Sequence, residues 1–180
     1  MNKNTFKTVN LDKGIMNIYD FGSIKLHAYK TNDFIDDEVF ILEKKGKGVI
    51  IESPCFFDNI KELTEYLKDI QIAGMLVAYH GAGASFLPDV PKYATRNAIE
   101  YSEKGGGKAL VENFAGAFGE IFDASIHNIT NVVPEGGITV GGIEFEIKQT
   151  AEAFDIVIPE INAVYTHMLG HDCLLYTSPS

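Results

Sequence analysis

The sequence predicts a single α/β domain in which strands outnumber helices. Three observations carry that reading. The first 55 residues alternate apolar and polar positions, which is the period of a strand. A stretch with helical spacing then lies between two apolar strand-like runs, the order of a βαβ crossover, so part of the sheet has to be parallel. A chain of 180 residues, 46% of them hydrophobic, has material for one core.

Element by element, IMNIYDFG (15–22) and IKLHAYKT (24–31) read as two strands with Gly22-Ser23 as the turn between them. Val39–Leu42 and Val49–Ile51 form a hairpin whose tip is the solvated EKKGKG at 43–48, and Pro54 ends it. Asp58 is the expected cap of a helix in which Ile60, Leu63, Leu67 and Ile70 share one face. Residues 74–80 are the next expected strand, ending on His80, and a run of very small side chains follows at Gly81, Ala82, Gly83, Ala84 and Ser85. A short strand is expected at 90–95, then helices over 96–104 and 108–121. Gly105-Gly106-Gly107 between them lacks the spacing of a phosphate loop and follows a helix, so it reads as a hinge or a helix stop. A hairpin turning at Gly141-Gly142 covers 136–150, and strands at 154–161 and 163–169 complete the order.

Charge and cysteine usage remove several function classes. The formal net charge is −10 and no basic stripe is present, which argues against nucleic acid or an anionic membrane as partner. Cys55 and Cys173 make neither a disulfide framework nor a cysteine-rich zinc module, and Cys55 after Pro54 reads as a small buried or half-buried thiol. The opening MNKNTFKTVNLDKG has no apolar signal core, and no stretch approaches the ~20 apolar residues that span a bilayer, so a cytoplasmic protein is expected. The last eight residues, CLLYTSPS, match nothing before them and resemble a translated sequencing adapter. The expected organisation is one domain over 1–172, truncated at its C-terminal side, followed by a non-native tail at 173–180.

Over roughly residues 12 to 172 this succession resembles the first two-thirds of the metallo-β-lactamase superfamily. GVIIESPCFFDNIKEL is similar to that family's strand and helix before its metal motif, and ITVGGIEFEIKQTAEAFDIVIPEINAVYT to its later hairpin and the two strands that follow. The resemblance implies an αββα sandwich with a metal site at one edge between the sheets. It also implies ligand positions, and most of them are altered. His80 stands at the first histidine of the family's His-x-His-x-Asp-His. Ala82 stands at the second histidine, Ala84 at the aspartate and Ser85 at the last histidine. The family's Gly-His-Thr corresponds to Ala151-Glu152-Ala153, and its later aspartate to Met168, next to His167. Alanine has no lone pair to donate, and a serine hydroxyl is a poor zinc ligand.

Two functional expectations follow. The first is a non-catalytic relative, a pseudoenzyme that holds no metal and binds a small molecule or a protein partner in the old cleft. The second is a hydrolase with a rebuilt mononuclear site for zinc or another divalent metal on His80, Glu152 and His167. His27 and His127 read as ordinary surface or edge residues, Asp37 and Asp123 form no spaced cluster with them, and Ser85 has no base near it in sequence.

Overall fold

Thirteen strands and three helices follow one another in the computed structural model, which describes residues 5–167 and 174–176. Strands β1 (Thr5–Asn10), β2 (Gly14–Asp20), β3 (Lys25–Thr31), β4 (Glu38–Lys44) and β5 (Lys47–Ile51) pair antiparallel, each with the next. Helix α1 (Phe57–Tyr66) then returns the chain so that β6 (Gln71–Leu76) lies parallel to β5. β7 (Lys92–Ala94) and β8 (Asn131–Val132) add in parallel beyond β6, giving an eight-stranded sheet. Between them run α2 (Arg96–Lys104) and α3 (Gly106–Phe118). The second sheet has five antiparallel strands in the order β13-β12-β11-β10-β9. They are β9 (Ile138–Val140), β10 (Ile143–Gln149), β11 (Phe154–Ile158), β12 (Ala163–Tyr165) and β13 (Leu174–Tyr176).

The apolar pattern determines how these layers stack. Leu26, Phe40, Leu42, Val49, Ile51 and Leu76 point from the first sheet into a core shared with Val140, Phe145, Ile147, Phe154, Ile156 and Tyr165 of the second. That face-to-face burial is what holds two sheets together. On the opposite face of the first sheet, Tyr29, Val39, Ile41, Ile50 and Met75 pack against Ile60, Leu63 and Leu67 of α1 and its C-terminal turn. The expected α/β sandwich is therefore present, with a helix, a sheet and a second sheet layered in turn. The outward residues of β10, Glu144, Glu146 and Lys148, are exposed.

Several local expectations need correction. β6 ends at Leu76, four residues short of His80, although Val77 N–H still donates to the Tyr93 carbonyl at 2.9 Å. Asp58 does not cap α1. The N-cap is Phe56, without a side-chain bond, and Asp58 lies in the first turn. Gly105 does end α2 and starts α3, and a Cβ at Gly107 would sit 2.6 Å from the Tyr101 ring, so the turn closes tightly on that side chain. His27 is buried, bridging Tyr66 Oη at 2.7 Å and Glu43 Oε2 at 2.8 Å. No helix among the described residues is long and apolar enough to cross a membrane.

Candidate functional site

Parallel pairing of β5 and β6 brings their carboxyl ends side by side, and in open α/β sheets that is where ligand-binding loops gather. Past β5 the chain runs through Glu52, Ser53 and Pro54 to Cys55, whose side chain is fully buried. Past β6 it runs through Ala78 and Tyr79 to His80. The two meet: His80 Nδ1 lies 3.9 Å from Cys55 Sγ. Asp37, on the loop before β4, completes the group. Its carboxylate, Cys55 Sγ and a His80 ring nitrogen all lie within 4.8 Å of one another.

The electrostatics of the three are unusual. Burial, followed by the negative charges of Asp33, Glu52 and Asp36, pushes the Asp37 carboxyl well above the carboxylate range. Burial and the carboxylates of Asp37, Glu52, Asp33 and Asp123 push the Cys55 thiol up as well. His80 keeps some exposed area, yet burial and then the neighbouring His167 bring it down to about 4. Asp37 Oδ2 is buried with no hydrogen-bond partner.

The small-residue loop is fixed by backbone pairing. Gly81 carbonyl accepts from His127 N–H at 2.8 Å, Gly83 N–H donates to the Asp123 carbonyl at 3.0 Å, and Ala84 N–H to that of Ser125 at 3.1 Å. Ala82 forms an antiparallel bridge with Ile126 and is 0% exposed. Asp123 ties both segments: it accepts from Ser85 N at 2.9 Å, Ser85 Oγ at 2.6 Å, Ser125 N at 3.0 Å and the Ser125 hydroxyl. Burial would raise the Asp123 carboxyl, but the bonds from Ser125 and Ser85 hold it below the usual range. His127 is buried, not at the surface. Its Nε2 lies 3.0 Å from Ser53 Oγ, and its Nδ1 has no partner.

Of the residues singled out from sequence, His80 lies at the centre of this cluster. His167 is nearby, its ring stacked on Tyr79 with centroids 3.6 Å apart, and burial lowers its pKa. Tyr79 in turn shares a 2.7 Å hydrogen bond with Tyr101. Glu152 is exposed in the turn between β10 and β11, where its charge reaches Tyr79. Glu152 and His167 are not members of the group that Asp37, Cys55 and His80 form. Met168, His171 and Asp172 lie outside the described residues, as does most of the 173–180 tail apart from β13. Sequence reading missed Asp37, and it left Cys55 as a plain buried thiol. The signal available was the expected nearness of two parallel strand ends, which puts Cys55 and His80 in neighbouring loops.

No family model matches the chain, and no curated protein does. Solved structures do. BLEG-1 B3 metallo-beta-lactamase superposes with a TM-score of 0.56 at 13% identity, over 89% of this chain and 70% of that one. A beta-lactamase domain protein from Burkholderia ambifaria gives 0.55 at 12% identity, over 79% and 52%. The metallo-beta-lactamase FIM-1 from Pseudomonas aeruginosa, in a mono-zinc form, gives 0.54 at 10% identity, over 92% and 70%. At such identities the likeness speaks for architecture alone, and it agrees with the two stacked sheets: this chain has the metallo-β-lactamase fold.

Proposed function

We propose that this chain is a non-hydrolytic member of its fold, binding a small molecule at the cleft edge instead of turning one over on two zinc ions. The observation that carries the reading is the closed loop at 81–85. A hydroxide bridging two ions needs electron-pair donors from this loop. Ala82 and Ala84 offer methyl groups, Ala82 is buried with its backbone bridged to Ile126, and the Ser85 hydroxyl already donates to Asp123. Next to Tyr79, the partner of Tyr101, an open surface groove of about 670 Å³ runs along Asn97, Glu100, Tyr101 and Lys104 of α2.

A panel of β-lactam, thioester and phosphodiester reporters, run with and without zinc or manganese, tests this. The expected rate of the parent equals that of His80→Ala and of the metal-only blank. Metal-dependent turnover that disappears in His80→Ala overturns the reading. It would favour instead a mononuclear hydrolase on His80, and loss of that turnover in Glu152→Ala as well would assign it to His80, Glu152 and His167, a set for which the charge coupling of His167 to His80 speaks.

A further inference from the structure

We infer that Asp37, Cys55 and His80 form a mononuclear site for a thiophilic divalent cation such as zinc, made of one carboxylate, one thiolate and one imidazole. The inference goes beyond the reading above, and it shares only His80 with the ligand positions implied by sequence resemblance.

Geometry is the first support. Zinc bonds of about 2.0–2.3 Å to nitrogen, oxygen and sulfur place neighbouring tetrahedral donors roughly 3.5 Å apart. The donors here lie within 4.8 Å of one another, and the histidine–cysteine pair is at 3.9 Å. Contraction by about 1 Å through side-chain rotation closes such a site, and three protein ligands leave a fourth position for water.

The second support is the orphaned oxygen. A buried polar atom without a partner costs about 1–3 kcal/mol, and native structures rarely tolerate one unexplained. Asp37 Oδ2 is such an atom, and it belongs to the carboxylate that faces the thiol. A bound cation would satisfy it.

The surrounding charge is the third. The carboxyl groups of Asp37, Glu52, Asp33 and Asp123 crowd around Cys55, and a bound cation would offset the repulsion among them.

The ligands are also held from behind. The Asp37 carbonyl accepts from Thr31 N–H at 2.9 Å and Oγ1 at 3.1 Å. The Cys55 carbonyl accepts from Asp123 N–H at 2.7 Å. Glu52 anchors the backbone just before His80. Such outer contacts fix ligand orientation in metal sites. A thiolate and an imidazole in the set select zinc or cobalt over magnesium or calcium.

The test uses the full chain, stripped with a chelator and titrated with cobalt(II) and with zinc(II). One equivalent of zinc is expected by metal analysis after dialysis. Cobalt is expected to give a near-ultraviolet sulfur-to-metal charge-transfer band together with visible bands of four-coordinate intensity. Cys55→Ser should abolish the charge-transfer band, Cys173→Ser should keep it, and Asp37→Asn should weaken binding tenfold or more. Glu152→Ala should change nothing. The parent spectrum reads the site even where a variant folds poorly. No stoichiometric metal, or a cobalt spectrum that Cys55→Ser leaves unaltered while Cys173→Ser removes it, overturns the inference. Turnover plays no part in this readout, so the non-hydrolytic reading and the metal site can fail separately.

Discussion

Glu52 Oε1 accepts the backbone N–H of Ala78 at 2.7 Å, joining the end of β5 to the segment that carries His80. The N–H of Tyr79 also bonds this carboxyl. Both donors lie beyond the last residue of β6, where the strand ladder no longer serves them, and buried N–H groups need some partner. To reach them Glu52 takes a left-handed backbone conformation at φ +71°, which costs a non-glycine residue about 1 kcal/mol or more. Glu52→Ala should therefore lose roughly 2–4 kcal/mol of stability, because two donors become orphans. Glu52→Gln keeps an acceptor and should lose less than half of that. Urea unfolding of both variants checks the order. Equal losses would show that charge, not the acceptor, is what the loop needs.

Acid should unfold this protein through its buried histidines. Burial, then the charges of Lys92 and His80, lower His127 from 6.5 to about 4 against the opposing pull of Asp123. A depressed pKa means the unfolded chain takes the proton first. The stability this contributes is present above pH 6.5 and is lost as pH falls through about 4. Its size is at most about 3 kcal/mol. Glu52 has the opposite sign: burial raises it from 4.5 to about 7, so its share is full below 4.5 and is lost as pH rises through 7. His127→Gln keeps an amide beside Ser53 without the titration. Its acid midpoint, followed by circular dichroism, should move to lower pH, and an unchanged midpoint would rule out His127 as a driver.

Much of the architecture was legible because burial follows period. In β10, Ile143, Phe145 and Ile147 are buried while Glu144, Glu146 and Lys148 are exposed, and that alternation is plain in the sequence. The face of α1 formed by Ile60 and Leu63 is equally plain. β8 was not legible, because two residues have no period. The site was legible only at His80. Cys55 is 25 residues away along the chain and Asp37 further still, so no local spacing reports that they meet. His27 and His127 looked like surface residues for the same reason. His127 is buried, and the side chain that meets its ring is Ser53, 74 residues away.

Gly83 is a second point where the loop depends on one residue. Its φ is +88°, and a Cβ there would lie 2.2 Å from the Pro54 carbonyl oxygen and 2.9 Å from Ser53 Oγ. The first contact is with backbone and cannot yield by rotation. Gly83→Ala should cost several kcal/mol, from the left-handed conformation and the clash together. It should also separate the 81–85 loop from the Cys55 turn. Hydrogen exchange at the Gly83 and Ala84 amides, which bond Asp123 and Ser125, reads that separation directly. Unchanged protection would mean the loop is held from the 123–127 side alone.

Ala82→His is the most direct test of whether the loop still faces a metal. The substitution restores the residue that sequence resemblance places at this position. Yet Ala82 is fully enclosed, packed with Cys55, Phe56, Val111 and Phe122, and its backbone is bridged to Ile126. An imidazole is too large for that space, and overpacking costs about 1–3 kcal/mol before the burial of its polar nitrogens is counted. The variant should melt at lower temperature and hold no more zinc than the parent. Ala84→His, at a half-buried position, should be tolerated better. A stable Ala82→His protein that retains two equivalents of zinc after dialysis would show the opposite: that the loop keeps the orientation of a dinuclear centre and lacks only the side chains.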